Sequence, residues 1–215
     1  VHELVNDSLI ARGIEIVTSD IPVHHYPLLR PAERVREKQR TYLRLGRQKV
    51  AAAPDDPRAH AELGAQYAEL GDPASAAAAY REAVRLDPSN GAWLKELGAT
   101  LHLAGRREPA HQALRLATAA APDNAEAWRN RGVVAADGGL WDEAVDCFER
   151  AVALDPGRAE AHRYLAVALE ETGRLAQAVH AAEAAVRANP HDAMALDCYL
   201  HQMETLDRRA EARAT

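Results

Sequence analysis

Aromatic residues are scarce in this 215-residue chain, which has one Phe, three Trp and six Tyr although 47% of its residues are hydrophobic. Large β-sandwiches and barrels depend on aromatic and β-branched side chains, so this scarcity argues against an all-β fold. Alanine is the most frequent residue, and Ala, Leu and Arg enter helices at little cost in entropy. We therefore predict a mainly helical chain whose core is built from small side chains.

Cysteine, long apolar runs and excess positive charge are also missing. The only two cysteines, Cys147 and Cys198, argue against a disulfide scaffold and suit a reducing compartment. No apolar stretch approaches the ~20 residues of a membrane span, and no signal peptide is recognisable. The net charge of −6 argues against a nucleic-acid partner. We expect a cytoplasmic protein, and the start at Val1 rather than at methionine is consistent with a piece of a longer chain.

A repeat of 34 residues organises most of the sequence. Five columns of identical residues keep this step: Pro54, Pro88, Pro122, Pro156 and Pro190; Gly64, Gly98 and Gly132, with Ala166 in the next slot; Gly71, Gly105, Gly139 and Gly173; Ala76, Ala110, Ala144 and Ala178; Ala83, Ala117, Ala151 and Ala185. Five columns in one register indicate a repeated structural unit.

The first unit shows why these residue types recur. Its pattern predicts one helix over about 58–70 and a second over about 74–86. Gly64 has no Cβ, so the second helix can approach the first closely. Gly71 tolerates the left-handed backbone that ends a helix, and Pro88 ends the second helix. Each unit is therefore predicted to be a helix–turn–helix.

The unit resembles the tetratricopeptide repeat, whose period is 34 residues. The third unit reads AEAWRNRGVVAADGGLWDEAVDCFERAVALDPGR and has family-typical residues at Trp128, Gly132, Ala144, Phe148, Ala151 and Pro156. The resemblance implies an all-α, right-handed α-solenoid of four repeats, at 57–90, 91–124, 125–158 and 159–192.

The segments that flank the repeats are predicted to be different. Residues 1–30 are expected to form extended, β-hairpin-like structure, and residues 31–56 a basic linker helix that acts as an N-terminal half-repeat. Residues 193–215 are expected to form a capping helix and tail. We expect four side chains to cover the last repeat, namely Leu196, Leu200, Met203 and Leu206, and three to face outward, namely Asp197, His201 and Glu204.

Family resemblance implies that the first helices line a concave groove that binds an extended peptide. At the fifth position of successive units lie three cations that could meet carboxylates: Lys95, Arg129 and Arg163. Three further candidates for the groove lie at the sixth and ninth positions: Asn130, Val133 and Val167.

A second interpretation of the basic column stays open. Glu126 precedes Arg129 by three residues, and Glu160 precedes Arg163 by three. Such pairs are ordinary ion pairs on a helix surface and would carry no binding function.

The N-terminal region carries a second pattern. His2 and Glu3 lie in a short strand-like segment, IPVHHY ends at Tyr26, and the basic segment REKQRTYLRL leads to the repeats. This order resembles the C-terminal tail of a bacterial family-2 glycosyltransferase, over about residues 1–56.

That resemblance implies a role for the N-terminal histidines. His25, with His24 as its rival, would lie near a divalent metal and the diphosphate of a nucleotide-sugar donor, and His2 and Glu3 are further candidates. The alternative is that His24 and His25 are exposed loop residues. The Asp-x-Asp motif and the catalytic base would lie upstream, so the chain as given is expected to be non-catalytic and to need no cofactor.

Three functions follow from the sequence, in this order. The first is a non-catalytic interaction module that binds a peptide or a partner protein. The alternative is the repeat region of a family-2 glycosyltransferase that recruits the acceptor. A third possibility is self-association through an exposed terminal helix.

Overall fold

The computed structural model describes residues 32–214, with side chains over 37–207. All packing reported below lies within the unit of residues 39–215. The predicted extended segment 1–30, with His2, Glu3, His24 and His25, lies outside the described residues. The described part consists of helices without a strand, and these are α1 (Ala32–Ala52), α2 (Pro57–Glu69), α3 (Pro73–Leu86), α4 (Gly91–Leu103), α5 (Arg107–Ala120), α6 (Ala125–Asp137), α7 (Trp141–Leu154), α8 (Ala159–Glu171), α9 (Leu175–Ala188) and α10 (Ala193–Ala214).

Helices α2 to α9 form four pairs, and each pair occupies one 34-residue unit. The two helices of a pair pack on each other, and the second helix also packs on the first helix of the next pair. Both predicted alanine columns are buried: Ala76, Ala110, Ala144, Ala178, Ala83, Ala117, Ala151 and Ala185 are each at most 1% exposed. The predicted all-helical solenoid with a small-residue core is confirmed.

The contact between the two helices of a pair is set by positions 8 and 24 of the unit, counted from Pro57, Gly91, Ala125 and Ala159. In the third unit a Cβ on Gly132 would lie 2.6 Å from Cε1 of the buried Phe148 ring. Gly64 stands in the same relation to Tyr80, as does Gly98 to Leu114. In the fourth unit Ala166 replaces the glycine, and position 24 is then Ala182. A larger residue at position 8 thus goes with a smaller one at position 24.

The turn between the paired helices depends on one backbone conformation. Gly71, Gly105, Gly139 and Gly173 have φ between +72° and +77° and are the residues with positive φ in the described chain. No atom would lie within 4 Å of a Cβ at any of the four. Glycine is therefore required here by the left-handed backbone and not by a shortage of space.

Successive units are joined by hydrogen bonds that the sequence did not reveal. At position 4, Trp128 Nε1 donates to the Pro122 carbonyl at 3.0 Å. His60 and His162 occupy the same position and place Nε2 2.8 and 3.0 Å from the carbonyls of the prolines that end the preceding segments. An imidazole N–H can thus replace the indole N–H as the donor, which explains histidine at a slot that tryptophan fills in the third unit.

The terminal helix packs through a face that agrees only in part with the predicted one: Met203 and Leu206 are partly buried, and Asp197, His201 and Glu204 are exposed, as predicted. Leu196 and Leu200 are 48% and 54% exposed, so the expectation that they cover the last repeat was wrong. Ala195 and Gln202 are instead fully buried, and Gln202 Nε2 donates to Glu170 Oε2 at 2.6 Å. The hydrogen bond from Gln202 Nε2 to Glu170 favours this rotation of α10 about its axis, because a buried donor without a partner is costly.

Replacing Gly139 by alanine should destabilise the protein by about 1–2 kcal/mol, since an L side chain with φ near +75° is strained. Gly157→Ala in the same unit is the matched control. Gly157 has a negative φ and also has room for a Cβ, so that variant should be neutral or slightly stabilised. Urea unfolding of both variants measures the difference. Equal stability of the two variants would contradict this account of the turn.

Candidate functional site

The candidate site is the surface that α4, α6 and α8 share, which we call the first-helix face and define by unit positions 2, 5, 6, 9, 12 and 13. A cavity of about 250 Å³ lies on it between α4 and α6. The side chains that line it on this face are Glu96, Ala99, His102, Leu103, Glu126, Arg129, Asn130 and Val133. Arg129, Asn130 and Val133, predicted as binding residues, are thus brought together at one cavity.

An apolar strip runs along the first-helix face. It is made of Ala99, Leu103, Val133 and Val167. Leu103 is 73% exposed and Val167 is 42% exposed, while Ala99 and Val133 are half-buried. Val167 lies on α8, one unit beyond the cavity. The sequence pattern predicted the two valines, but it did not indicate Leu103, the most exposed large apolar side chain in the described chain.

The predicted basic column is largely paired with carboxylates of the next unit. Lys95 Nζ lies 2.6 Å from Glu126 Oε2, and Arg129 Nη1 lies 2.8 Å from Glu160 Oε2. Each pair joins residues 31 apart, from position 5 of one unit to position 2 of the next. We call these two pairs the cross-repeat ladder. Because both cations already have carboxylate partners, the face does not present a continuous row of free positive charge.

The ladder differs from the ion pairs within one helix that the sequence had suggested. The expected pair of Arg129 with Glu126 is present as an ion pair at 3.6 Å, which is longer than a hydrogen bond. Glu160, the other expected partner within a helix, bonds Arg129 of the preceding unit and also accepts the hydroxyl of Tyr164 at 3.2 Å. The pairing across units joins neighbouring helices, whereas a pair within one helix would not.

The ladder perturbs the pKa values of both groups in its first pair. The hydrogen bond from Lys95 holds the pKa of Glu126 below its ordinary value of 4.5. Burial acts to lower the pKa of Lys95, but its hydrogen bonds to Glu126 and Glu96 outweigh this and raise it. Both shifts favour the charged forms, so the pair is ionised at neutral pH.

Arg163 is the exception among the three cations. Its nearest carboxylate is that of Asp192, with 3.7 Å between Nε and Oδ2, and it makes no hydrogen bond to the described residues. Asn130 differs in another way: its Oδ1 accepts from Arg129 Nη2 at 3.0 Å, while its amide nitrogen makes no hydrogen bond within residues 37–207. The Asn130 amide can therefore donate to a ligand.

A second contact between neighbouring units was not predicted. His102 Nε2 lies 2.6 Å from Asp137 Oδ2, which joins α4 to α6 at the rim of the cavity. Position 12 of one unit meets position 13 of the next, and no family motif marks either residue. Among the described side chains, no group of three or more His, Cys, Asp or Glu could hold a metal ion.

Comparison with known proteins assigns this architecture to a family. Models of the tetratricopeptide repeat match residues 57–90, 99–159 and 135–193, which together cover more than half of the chain. The chain therefore belongs to the tetratricopeptide repeat family. None of these matches includes residues 1–56, the segment with the resemblance to a glycosyltransferase tail.

Solved structures show the same fold at low sequence identity. MamA is 23% identical, with a TM-score of 0.69, over 76% of this chain and 95% of its own. YrrB, described as a TPR protein with an unusual peptide-binding site, is 21% identical with a TM-score of 0.66, over 77% of this chain and 86% of its own. PilF of Pseudomonas aeruginosa is 21% identical with a TM-score of 0.65, over 83% and 89% respectively. No curated protein matches the sequence.

Within residues 32–214, no helix combines the length and the hydrophobicity needed to cross a bilayer.

Glu126→Gln should lower the free energy of unfolding at pH 7 by at most about 1 kcal/mol, since Glu126 is about half exposed and an exposed ion pair is worth little. Because the carboxyl pKa is lowered on folding, this contribution is complete above pH 4.5 and is lost as the pH falls below that value. The stability difference between the wild type and the variant should therefore vanish in strong acid, as measured by urea unfolding at several pH values.

The matched control is Glu171→Gln on the same face, because Glu171 is exposed and makes no ion pair to the described residues. That variant should show no comparable loss at pH 7. A loss for Glu126→Gln that persists unchanged at low pH would contradict the assignment of the effect to the ion pair.

Proposed function

We propose that the first-helix face binds an extended segment of a partner protein, with the cavity between α4 and α6 as its centre. The observation that carries the proposal is the composition of this cavity. An apolar strip lies beside charges that are already paired, and one amide donor, that of Asn130, is free to bond a ligand. Such a surface gains free energy by burying an apolar side chain, and its half-exposed carboxylates can stay solvated at the rim of the contact, since desolvating an ion pair is costly.

The apolar strip supplies the main contact in this proposal. Leu103 is 73% exposed, and burying a leucine side chain against a partner is worth about 1.5–3 kcal/mol. Ala99 and Val133 form a shallow floor that accepts one aliphatic side chain of the ligand. The Asn130 amide then bonds a carbonyl of the peptide backbone, which favours an extended segment over a folded surface.

Membership of the tetratricopeptide repeat family supports this proposal without testing its residues. Proteins of this family bind protein or peptide partners, and YrrB, which shares the fold, is described as having a peptide-binding site. The predicted binding residues Lys95, Arg129, Asn130, Arg163, Val133 and Val167 all lie on or beside the first-helix face. The ladder changes their expected roles, because Lys95 and Arg129 position neighbouring helices rather than meeting a ligand's carboxylates.

The glycosyltransferase interpretation stays a prediction. It depends on His2, Glu3, His24 and His25, which lie outside the described residues, and on a segment that no family model matches. An upstream nucleotide-sugar domain with an Asp-x-Asp motif, in frame with Val1, would establish it. An in-frame start codon next to Val1 would exclude it.

Leu103→Glu should weaken peptide binding by about tenfold or more, because it places a charge where an apolar side chain is buried in the complex. Linear peptides would first be selected from a random library on the immobilised wild-type chain. Their dissociation constants would then be measured by fluorescence anisotropy, and circular dichroism would verify that each variant folds.

Leu116→Glu is the matched control, since Leu116 is 58% exposed but lies on α5, a second helix. It should bind the selected peptides as tightly as the wild type. Equal affinity of the Leu103→Glu variant and the wild type would contradict the proposed location of the site.

A further inference from the structure

We propose that Arg163 is a carboxylate-binding subsite for the partner segment, which it contacts through an Asp or Glu side chain or through a C-terminal carboxylate. This inference rests on the proposed function and names the chemistry that one part of the face recognises. Of the three position-5 cations, it assigns ligand binding to Arg163 alone.

The first observation is that the cross-repeat ladder stops at Arg163. Lys95 and Arg129 each bond a glutamate 31 residues later, at position 2 of the next unit. The residue 31 positions after Arg163 is Met194, which has no acceptor for a guanidinium and is 64% exposed. The slot that holds a carboxylate beside the other two cations therefore lacks one beside Arg163.

The second observation is that Arg163 is largely buried without a hydrogen bond. Its side chain is 18% exposed, and its Nε is fully buried with no partner in the described residues. Arg129 also has an unbonded Nε, but its two terminal nitrogens donate to Glu160 and Asn130. The two terminal nitrogens of Arg163 also make no hydrogen bond to the described residues, but unlike Nε they are not fully buried, so they are the donors that an incoming carboxylate can reach.

The nearest acidic residue is occupied by another role. Asp192 caps α10, where its Oδ1 accepts from the backbone N–H groups of Met194 and Ala195 at 2.9 and 3.3 Å. The cap requires the rotamer that it has, and this leaves Asp192 Oδ2 3.7 Å from Arg163 Nε, too far for a hydrogen bond. Asp192 thus offsets part of the charge of Arg163 without satisfying its donors.

The surroundings restrict the ligand. Val167 lies one helical turn from Arg163 and is 42% exposed, and Met194 provides a second exposed apolar side chain. Glu160 is engaged with Arg129 and Tyr164, while Asp197 is exposed and makes no ion pair with Arg163. These acids disfavour a ligand that carries several negative charges. The site therefore fits a single carboxylate next to an aliphatic residue.

Nitrogen-15 NMR of the full chain tests the proposal through the Arg163 Nε–Hε resonance, assigned by its loss in Arg163→Lys. Three probes are used: N-acetyl-Ala-Val-Asp-Ala-amide, its Asn counterpart, and N-acetyl-Ala-Ala-Val with a free C-terminus. We expect one or both carboxylate probes to shift the Arg163 resonance saturably and the Asn probe to bind about tenfold more weakly or not at all. The Asp probe and the free C-terminus distinguish the two sources of the carboxylate.

Met194→Glu is the decisive variant, because it restores the missing member of the ladder. Its carboxylate should occupy Arg163 and reduce binding of the carboxylate probes by about tenfold or more. Met194→Gln is the matched control with similar shape and no charge, and it should bind like the wild type. Met194 is exposed, so neither variant should affect folding.

Three results would overturn the proposal. They are no shift of Arg163 with either carboxylate probe, an equal response to the Asn probe, and undiminished binding by the Met194→Glu variant. The proposed function is tested independently by the selected peptides. If these peptides depend on Leu103 but are insensitive to Met194→Glu, the subsite is wrong and the binding face stands. If the probes shift the Arg163 resonance but the selected peptides bind the Leu103→Glu variant as tightly as the wild type, the carboxylate subsite stands and the proposed location of the binding face is wrong.

Discussion

The contact between position 8 of the first helix and position 24 of the second helix constrains the rest of the structure. Tyr80 and Phe148 lie against glycines because the helix backbones approach too closely for a Cβ, and in the fourth unit Ala166 and Ala182 share the same space. This distance fixes where the next pair can pack. It also requires small residues elsewhere in the interface, which explains an apolar chain with few aromatics.

Regular packing brings the same positions of successive first helices into a constant relation. Lys95 with Glu126 and Arg129 with Glu160 are therefore equivalent contacts in different units. Charge that would otherwise lie free on the first-helix face is used to join the units. In the function that we propose, recognition depends on what the ladder leaves available, which is an apolar strip, the Asn130 amide and the cation at the end of the ladder.

The sequence was sufficient to predict the repeated unit, its two helices and the small-residue core, since these depend on the local constraints at Gly64, Gly71 and the alanine columns. It also indicated which cations share one face. It did not indicate their partners, because an ion pair across units depends on side-chain rotamers and on the spacing between helices. The three residues that separate Glu126 from Arg129 suggested a pair within one helix, and that ion pair is present at 3.6 Å, but the shorter bond of Arg129 is to Glu160 of the next unit.

The terminal helix shows a second limit of sequence patterns. Leu196 and Leu200 have helical spacing and were predicted to be buried, yet the buried amide of Gln202 and its bond to Glu170 select another face of α10. Leucine at position 200 occupies the slot that carries glycine in three of the units, and Asp207 replaces the turn glycine. The helix accordingly continues to Ala214 instead of turning.

The most direct test of the packing constraint is a double-mutant cycle of Gly132→Ala and Phe148→Ala, measured by urea unfolding. The account predicts that Gly132→Ala destabilises the protein when Phe148 is present but has little effect in the Phe148→Ala background. The double variant would then have alanine at both positions, like Ala166 and Ala182 in the fourth unit. The coupling energy should then be about 1–3 kcal/mol. Additive effects of the two substitutions, within about 0.5 kcal/mol, would contradict the claim that this contact sets the spacing of the helices.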